Sequence, residues 1–214
     1  MTMSEHYAYT DTEGIFLVQL ARKSLESYIK NKQKIHTPIE TPFKLRSNSG
    51  VFVTLNIYRS NAERFDLRGC IGRPYPQQPL VEAVINAAID SGTRDPRFPI
   101  VSASELSEII IEVTALTPPV EIKADSAEER LNTIVIGRDG IIIEDKKGVR
   151  GALFLPQVPV EWKWTKEQYL SRLCEKAGLP NHIWKDVHIT KLSKFQGEIF
   201  TETSPNGEII RKIL

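Results

Sequence analysis

The sequence predicts an α+β fold, with a mainly antiparallel sheet flanked by helices. Three observations lead there. Segments of period-two hydrophobicity are joined mostly by short polar turns, as in hairpins. Helical periodicity occurs at both ends of the chain and in the middle, not after every strand. A doubly wound parallel sheet needs regular strand–helix alternation, which is missing here. The 214 residues suit one domain, or one domain with a small companion. The 41% apolar and 26% charged shares exclude a disordered chain, a collagen-like chain and a coiled-coil rod.

The first helix is expected from Asp11 to Lys32. Thr10 and Glu13 have capping-box spacing, and Leu17, Ala21, Leu25 and Tyr28 recur at helical spacing. Arg22, Lys23, Glu26 and Lys30 are placed on the opposite, polar side. A proline-bearing loop, Lys34 to Ser49, follows. VFVTLNIYR then alternates, with Val51, Val53, Leu55 and Ile57 on one face and Thr54 and Asn56 on the other. After a polar turn at Ser60–Glu63, FDLRGCIG (65–72) reads as a strand. A second helix is expected from Pro79 to Ser91, with Pro79 as its first residue and Gly92 as its stop. Ser102 and Glu105 suggest a short capped turn. IIIEVTAL (109–116) is the strongest strand signal, rich in β-branched residues. A helical turn is expected near Ser126–Arg130. A meander is expected at Thr133–Ile136, Gly140–Glu144 and Val149–Leu155. A third long helix runs from Lys166 to Ala177, with Thr165 and Gln168 as its capping box. Val187–Phe200 reads as one strand. The residues from Thr201 to Leu214 read as a polar tail in which Ile209, Ile210, Ile213 and Leu214 can dock a helical turn.

Charge and cysteine usage narrow the function classes. A net charge of +1 argues against a surface given over to nucleic acid, though not against a local basic patch. No apolar run approaches the ~18 residues of a membrane span. The start, MTMSEHYAYT, has neither the basic nor the apolar stretch of a secretory signal, so a cytoplasmic location and no membrane partner are expected. Cys70 and Cys174 form no CxxC pair and suggest neither a zinc site nor a disulfide framework. Neither a metal nor a cofactor is expected. His6, His36, His182 and His188 show no zinc spacing, and no glycine-rich phosphate loop is present.

Residues 65–72 hold the most suggestive chemistry. Strand alternation places Leu67 and Ile71 toward the core and Arg68 with Cys70 on the other face. Arg64 and Arg73 lie close by in sequence. A thiol near fixed positive charge loses its proton more easily. Gly69 and Gly72 leave room for a ligand or a second backbone. The competing reading is a small buried hydrophobe, as most free cysteines are, and spacing alone favours it.

Four segments together are more specific. Leu67-Arg68-Gly69-Cys70-Ile71-Gly72, Asp95-Pro96-Arg97-Phe98-Pro99, Gly148-Val149-Arg150-Gly151 with Leu155-Pro156-Gln157-Val158, and Leu173–Leu179 following Glu161 and Trp164 stand in that order. In this respect the chain resembles the AMMECR-type domain family over roughly residues 8–201, with 202–214 left as a C-terminal tail. The resemblance implies an α+β domain with a larger and a smaller subdomain. No reaction is established for the family. Its prokaryotic members are encoded beside, or fused to, Memo-type and radical-SAM proteins, which implies such partners here.

The remaining motif residues have two readings each. In DPRFP the prolines stiffen the loop and Phe98 can anchor it in the core, so Asp95 and Arg97 are either a polar clamp beside Cys70 or a loop brace. Arg150 is expected on a strand face with Ala152 and Phe154. Gln157 is a site residue or a buried backbone satisfier, with the second favoured. Glu161 stands in an acidic–aromatic cluster with Trp162 and Trp164, and can pair with an arginine or act as acid or base near a thiol. Cys174 falls in the helical core stripe. The expected site is therefore a cleft with Cys70 and Arg68 at its chemical centre. Asp95, Arg97, Arg150, Gln157 and Glu161 are its ligand-binding residues. It is either a cysteine-containing enzyme site for an anionic or nucleotide-like small molecule, or a module that binds RNA or a Memo-type or radical-SAM partner.

Overall fold

The computed structural model describes residues 8–59 and 66–212. His6, Arg64, the Ser60–Glu63 turn, and Ile213 with Leu214 lie outside the described residues. In chain order the first elements are α1 (Asp11–Asn31), β1 (Val51–Ile57), β2 (Asp66–Arg73), α2 (Leu80–Thr93), β3 (Ile109–Leu116) and β4 (Val120–Glu121). Then come α3 (Ala127–Thr133), β5 (Gly140–Asp145), β6 (Gly151–Phe154), α4 (Gln157–Glu161) and α5 (Lys166–Lys176). The chain ends with β7 (Thr190–Phe195), β8 (Gly197–Glu202) and β9 (Ile209–Lys212). The fold is α+β, with a five-stranded sheet in the order β2-β1-β3-β8-β9 and a four-stranded sheet in the order β4-β7-β5-β6. The chain divides into two compact units: residues to Leu116 with those from Glu198 onward, and Thr117–Gly197.

In the first unit, α1 begins on a complete capping box. Thr10 accepts the Glu13 N–H, and the Glu13 carboxylate accepts the Thr10 N–H at 2.8 Å. Its apolar stripe, Leu17, Val18, Ala21, Leu25 and Ile29, is buried. One core cluster joins it to Val84 and Ala88 of α2, to Val51, Val53 and Leu55 of β1, and to Ile109, Ile111 and Val113 of β3. The alternation expected for β1 holds, with Thr54 on the face away from that core.

Several expectations differ, beginning with Pro79, which stands just outside α2 as its N-cap. Gly92 does not stop α2, which runs on to Thr93. A Cβ at Gly92 would sit 2.5 Å from Leu25 Cδ1, so the glycine serves helix–helix packing. Arg22 is buried rather than on the polar side. Its guanidinium pairs with Glu202 and donates to the carbonyls of Leu106 and Ile109. Glu202 also accepts the Ile111 N–H at 2.8 Å. A buried pair with its remaining polar atoms satisfied is tolerated, and here it ties α1, β3 and β8 together. Val187–Phe200 is not one strand: β7 and β8 flank Gln196 and belong to different sheets. The segment expected to be a tail supplies the edge strand β9, where Ile210 pairs with Thr201 and Lys212 with Ile199.

In the second unit, α5 keeps its expected capping box, with the Gln168 side chain accepting the Thr165 N–H at 2.9 Å. Tyr169, Leu170, Leu173 and Cys174 pack with Ile141, Ile143, Leu192 and Trp184. The strand expected at Thr133–Ile136 is absent, because α3 extends to Thr133 and a turn leads to β5. Arg130 is buried and donates to the carbonyls of Trp184 and Thr190 and to the Thr190 hydroxyl, binding α3 to the start of β7.

Candidate functional site

The site is built on β2, where the ladder to β1 slips. Leu55 faces Gly69 and Asn56 faces Leu67, so Arg68 is the extra residue of a bulge. The slip breaks the alternation on which the sequence reading relied. Leu67 is 40% exposed, while Arg68 is only 8% exposed. Arg68 does not share the face of Cys70. Its Nε donates to Glu105 Oε1 at 2.6 Å, its Nη1 donates to Pro99 O at 3.0 Å, and its plane lies over Phe98 at 5.9 Å. This pairing pushes the Glu105 carboxyl down to about 2, with the Ser102 backbone and hydroxyl adding to the effect and burial opposing it. A single helical turn does start at Glu105, but Ser102 does not cap it. Its N–H and hydroxyl donate to the Glu105 carboxylate, and the N-cap position, Ser104, makes no side-chain cap.

Gly69 faces inward against the end of α2. A Cβ there would stand 2.2 Å from the Ser91 carbonyl oxygen. The Ser91 hydroxyl accepts the Ile71 N–H at 2.9 Å and donates to Val53 O at 2.7 Å, so it links α2 to both strands. Glycine at 69 thus allows close approach of a backbone.

Cys70 points to the other face of the sheet. It is opposite Thr54 of β1, which is opposite Glu112 of β3. The Thr54 hydroxyl donates to Cys70 Sγ at 3.4 Å. Lys212 Nζ of β9 reaches Glu112 at 3.3 Å. One row further, the Phe52 ring occupies the space that a side chain at Gly72 would need.

The Asp95–Pro99 loop closes the site from the side. The buried Asp95 carboxylate accepts the Cys70 N–H at 2.8 Å, and the N–H, Nε and Nη2 of Arg97 at 3.1, 3.0 and 2.7 Å. Arg97 above all holds this carboxyl well below the usual carboxylate range; burial opposes, and the backbone donors assist. Arg97 stays 53% exposed in its side chain and also donates to Cys70 O at 3.4 Å. Phe98 does not anchor the loop in the core. It is half-buried, with the guanidiniums of Arg68 and Arg97 5.9 and 5.4 Å from its ring. Beside this loop, Asp90 pairs with Arg73 at 2.5 Å and Arg94 at 3.1 Å.

These surroundings decide the state of the thiol. Burial pushes the Cys70 thiol up, and the Asp95 and Glu112 carboxylates add to the rise. Thr54 and Arg97 pull the other way without overcoming it. The lowered value expected from nearby arginines is therefore reversed. Arg68 is spent on Glu105 and Arg73 on Asp90, leaving Arg97, itself neutralised by Asp95.

The remaining candidates belong to the second unit. Arg150, just before β6, is exposed and donates to Gly178 O at 2.8 Å, bracing the turn after α5. Gln157 opens α4, and its Oε1 is buried with no hydrogen-bond donor among the described residues. That oxygen is not a backbone satisfier. Glu161 is exposed and makes no ion pair among the described residues. Trp162 and Trp164 stack with centroids 6.1 Å apart and planes 19° apart. Cys174 is fully buried, as its helical position predicts. Among the described residues, no group of three or more His, Cys, Asp or Glu is placed to hold a metal ion. No helix is long and apolar enough to cross a membrane among those residues.

Thr54, Ser91, Glu105 and Glu112 were not singled out by the sequence reading. Thr54 was on the correct face of its strand, but its meeting with Cys70 is set by register. Glu105 was read only as a helix cap.

The AMMECR1 family model matches residues 18–200. A protein of Thermococcus gammatolerans is 50% identical over 208 residues, covering 97% of this chain and 99% of its own length. Protein MJ0810 of Methanocaldococcus jannaschii is 45% identical over 203 residues, with 94% and 96% covered. The crystal structure of the uncharacterized protein PH0010 from Pyrococcus horikoshii superposes with a TM-score of 0.84 at 48% identity, covering 97% of this chain and all of that one. Matched across most of its length in family, sequence and structure, this chain belongs to the AMMECR1 family.

Proposed function

We propose that the Cys70 face of the first unit binds a small ligand bearing an anionic group. Cys70 touches it as a neutral thiol and Arg97 offers it the free Nη1 donor of its guanidinium. One observation carries this reading: a single buried carboxylate, Asp95, fixes both the Cys70 backbone and the Arg97 guanidinium. Arg97 Nη1 makes no bond among the described residues, which leaves an outward donor on a group already held in place. Thr54 and Glu112 supply polar contacts on the same face. Arg68 is a positioning residue that holds the loop through Pro99 and Glu105.

The raised thiol value supports contact over nucleophilic attack, since the thiolate is the attacking species. Within the second unit, Arg150, Gln157 and Glu161 are proposed as further binding residues. Gln157 has the best support, because a buried acceptor without a donor costs stability unless something fills it.

The test is protection of Cys70 from iodoacetamide by a panel of phosphates, nucleotides and carboxylates, read by peptide mass mapping. At least one member should slow alkylation of Cys70 and not of other thiols. Arg97→Ala should weaken that protection about tenfold, as expected for a charge-assisted bond. No protection by any member, with an unchanged response in Arg97→Ala, would remove the proposal.

A further inference from the structure

The C-terminal half of α1 and the loop after it carry a second feature, independent of Cys70. Residues 23–46 hold six cations, Lys23, Lys30, Lys32, Lys34, Lys44 and Arg46, against two acids, Glu26 and Glu40. That is +4 in a chain of +1 overall, so the remainder sums to −3. Glu26 pairs with Lys30 at 2.9 Å and Lys44 donates to Ala8 O over the Tyr9 ring, while Lys23, Lys32 and Lys34 make no ion pair among the described residues. Arg46 meets only carbonyls: Ile39 O at 2.9 Å, Thr41 O at 3.3 Å and Pro38 O at 3.4 Å.

Out of this basic loop stand two large apolar side chains. Ile39 is 95% exposed and Phe43 is 89% exposed, more than any other large hydrophobic among the described residues. They are not on a slack segment. Each follows a proline, Thr41 closes a turn on Pro38 through its N–H at 3.2 Å and its hydroxyl at 2.7 Å, and Leu45 is fully buried as an anchor. Arg46 clamps the same turn. A rigid loop thus holds two apolar points outward. Ile39 itself lines a hollow of about 780 Å³ of mixed polar and apolar character, with Lys23, Ser27, Lys34, His36 and Glu40 also in its wall.

We infer that this loop is a peripheral docking surface for an anionic lipid bilayer. The lysines and the hollow meet phosphate headgroups, and Ile39 with Phe43 enter the headgroup–acyl boundary. Such attachment needs no membrane span, so the absence of a spanning helix among the described residues does not bear on it. Charge decides against a second copy of the chain, because a two-fold contact through this loop sets +4 against +4. A protein partner fits less well. Five of the six cations are lysine, a residue depleted at protein interfaces. The two apolar side chains are almost wholly exposed points, not a contiguous patch, and a lipid phase can close around each.

The test is co-sedimentation of the full chain with vesicles of phosphatidylglycerol and phosphatidylcholine in equal parts, against vesicles of phosphatidylcholine alone. Binding should occur to the anionic vesicles at low salt and fall at least tenfold at 0.5 M salt, where the Debye length is only a few ångströms. The double variant Ile39→Ser/Phe43→Ser should bind at least tenfold more weakly than wild type. Lys32→Glu/Lys34→Glu should abolish binding. All four side chains are outside the core, so unchanged melting verifies the fold of each variant. No binding of the wild type to anionic vesicles overturns the inference, as does equal binding by Ile39→Ser/Phe43→Ser. A photo-crosslinker at Phe43 that yields a protein adduct while vesicles are ignored also overturns it and assigns the loop to a protein partner.

Discussion

The Asp95 carboxylate accepts the backbone N–H of Cys70 at 2.8 Å while it neutralises Arg97. Two motifs 25 residues apart are thereby one unit: the loop aligns the strand, and the strand fixes the loop. Asp95→Asn keeps one acceptor oxygen and turns the other into an NH2 donor, so two of the four bonds are lost and the remaining two accept on a neutral amide. The expected loss is about 2–3 kcal/mol, read as a melting point lower by roughly 5–10 °C. Hydrogen exchange at the Cys70 amide should accelerate more than exchange in α1. A uniform change across the unit would show that Asp95 does not act locally.

Cys70 should behave as a slow thiol. Its value is raised, so the thiolate is scarce at neutral pH and grows only as pH climbs past the ordinary thiol range. The iodoacetamide rate in the native protein at pH 7 should fall below that of a free cysteine, and its pH midpoint should lie higher. Glu112→Gln removes a negative neighbour and should move the midpoint down. Arg97→Ala removes a positive one and should move it up. A midpoint below that of a free thiol would reverse the reading of the site.

Glu105 makes an acid-sensitive brace. Its folded value is about 2, against about 4.3 unfolded. A depressed carboxyl stabilises the fold above the unfolded value and loses that contribution as pH falls from about 4.3 toward 2. Glu105→Gln should therefore cost about 2 kcal/mol at pH 7, and roughly half that at pH 3. Melting curves of wild type and variant at the two pH values check this. A pH-independent difference would mean that Glu105 acts by packing alone.

Local patterns were legible in the sequence, and register was not. The Thr10–Glu13 and Thr165–Gln168 capping boxes located α1 and α5, since a cap is a four-residue event. The β-branched run of β3 was equally plain. The bulge at Arg68 was not, because it depends on where β2 pairs with β1. For the same reason β9 passed for a tail: four residues carry little periodicity, and their partner is β8. The break between the two sheets falls at Gln196-Gly197, where a lone glycine is the one local sign of it. Cys70 and the Asp95–Pro99 loop were found by family motif, but Arg68 was assigned to the wrong face. Thr54 and Glu112 join Cys70 only through cross-strand pairing.

Cys174 should be replaceable by alanine. It is fully buried among Tyr169, Leu170 and Leu173, and burial pushes its thiol up. Cys174→Ala removes one sulfur atom from a packed core and should cost about 1–2 kcal/mol, with Cys70 alkylation unchanged. Altered reactivity of Cys70 in a normally melting variant would give Cys174 a part beyond packing.

The sharpest test concerns Gly69, at the centre of the hexapeptide. The sequence alone allowed either a ligand or a backbone to need its missing side chain. A Cβ at 69 would lie 2.2 Å from Ser91 O and 3.1 Å from Ser91 C, both backbone atoms of α2. No rotamer change relieves a clash with main chain, so β2 or the end of α2 must move. Movement strains the Ser91 bridge, with its 2.9 Å bond from Ile71 N–H and its 2.7 Å bond to Val53 O. Overpacking alone costs about 1–3 kcal/mol, and loosening two buried hydrogen bonds adds about 1 kcal/mol each. Gly69→Ala should thus lower stability by about 3–5 kcal/mol, or roughly 6–20 °C in melting point. Ser91→Ala, which opens the bridge but leaves the carbonyl in place, should cost about 2 kcal/mol and should not rescue Gly69→Ala. If Gly69→Ala melted like wild type and only lost ligand protection of Cys70, the glycine would be there for the ligand and not for α2.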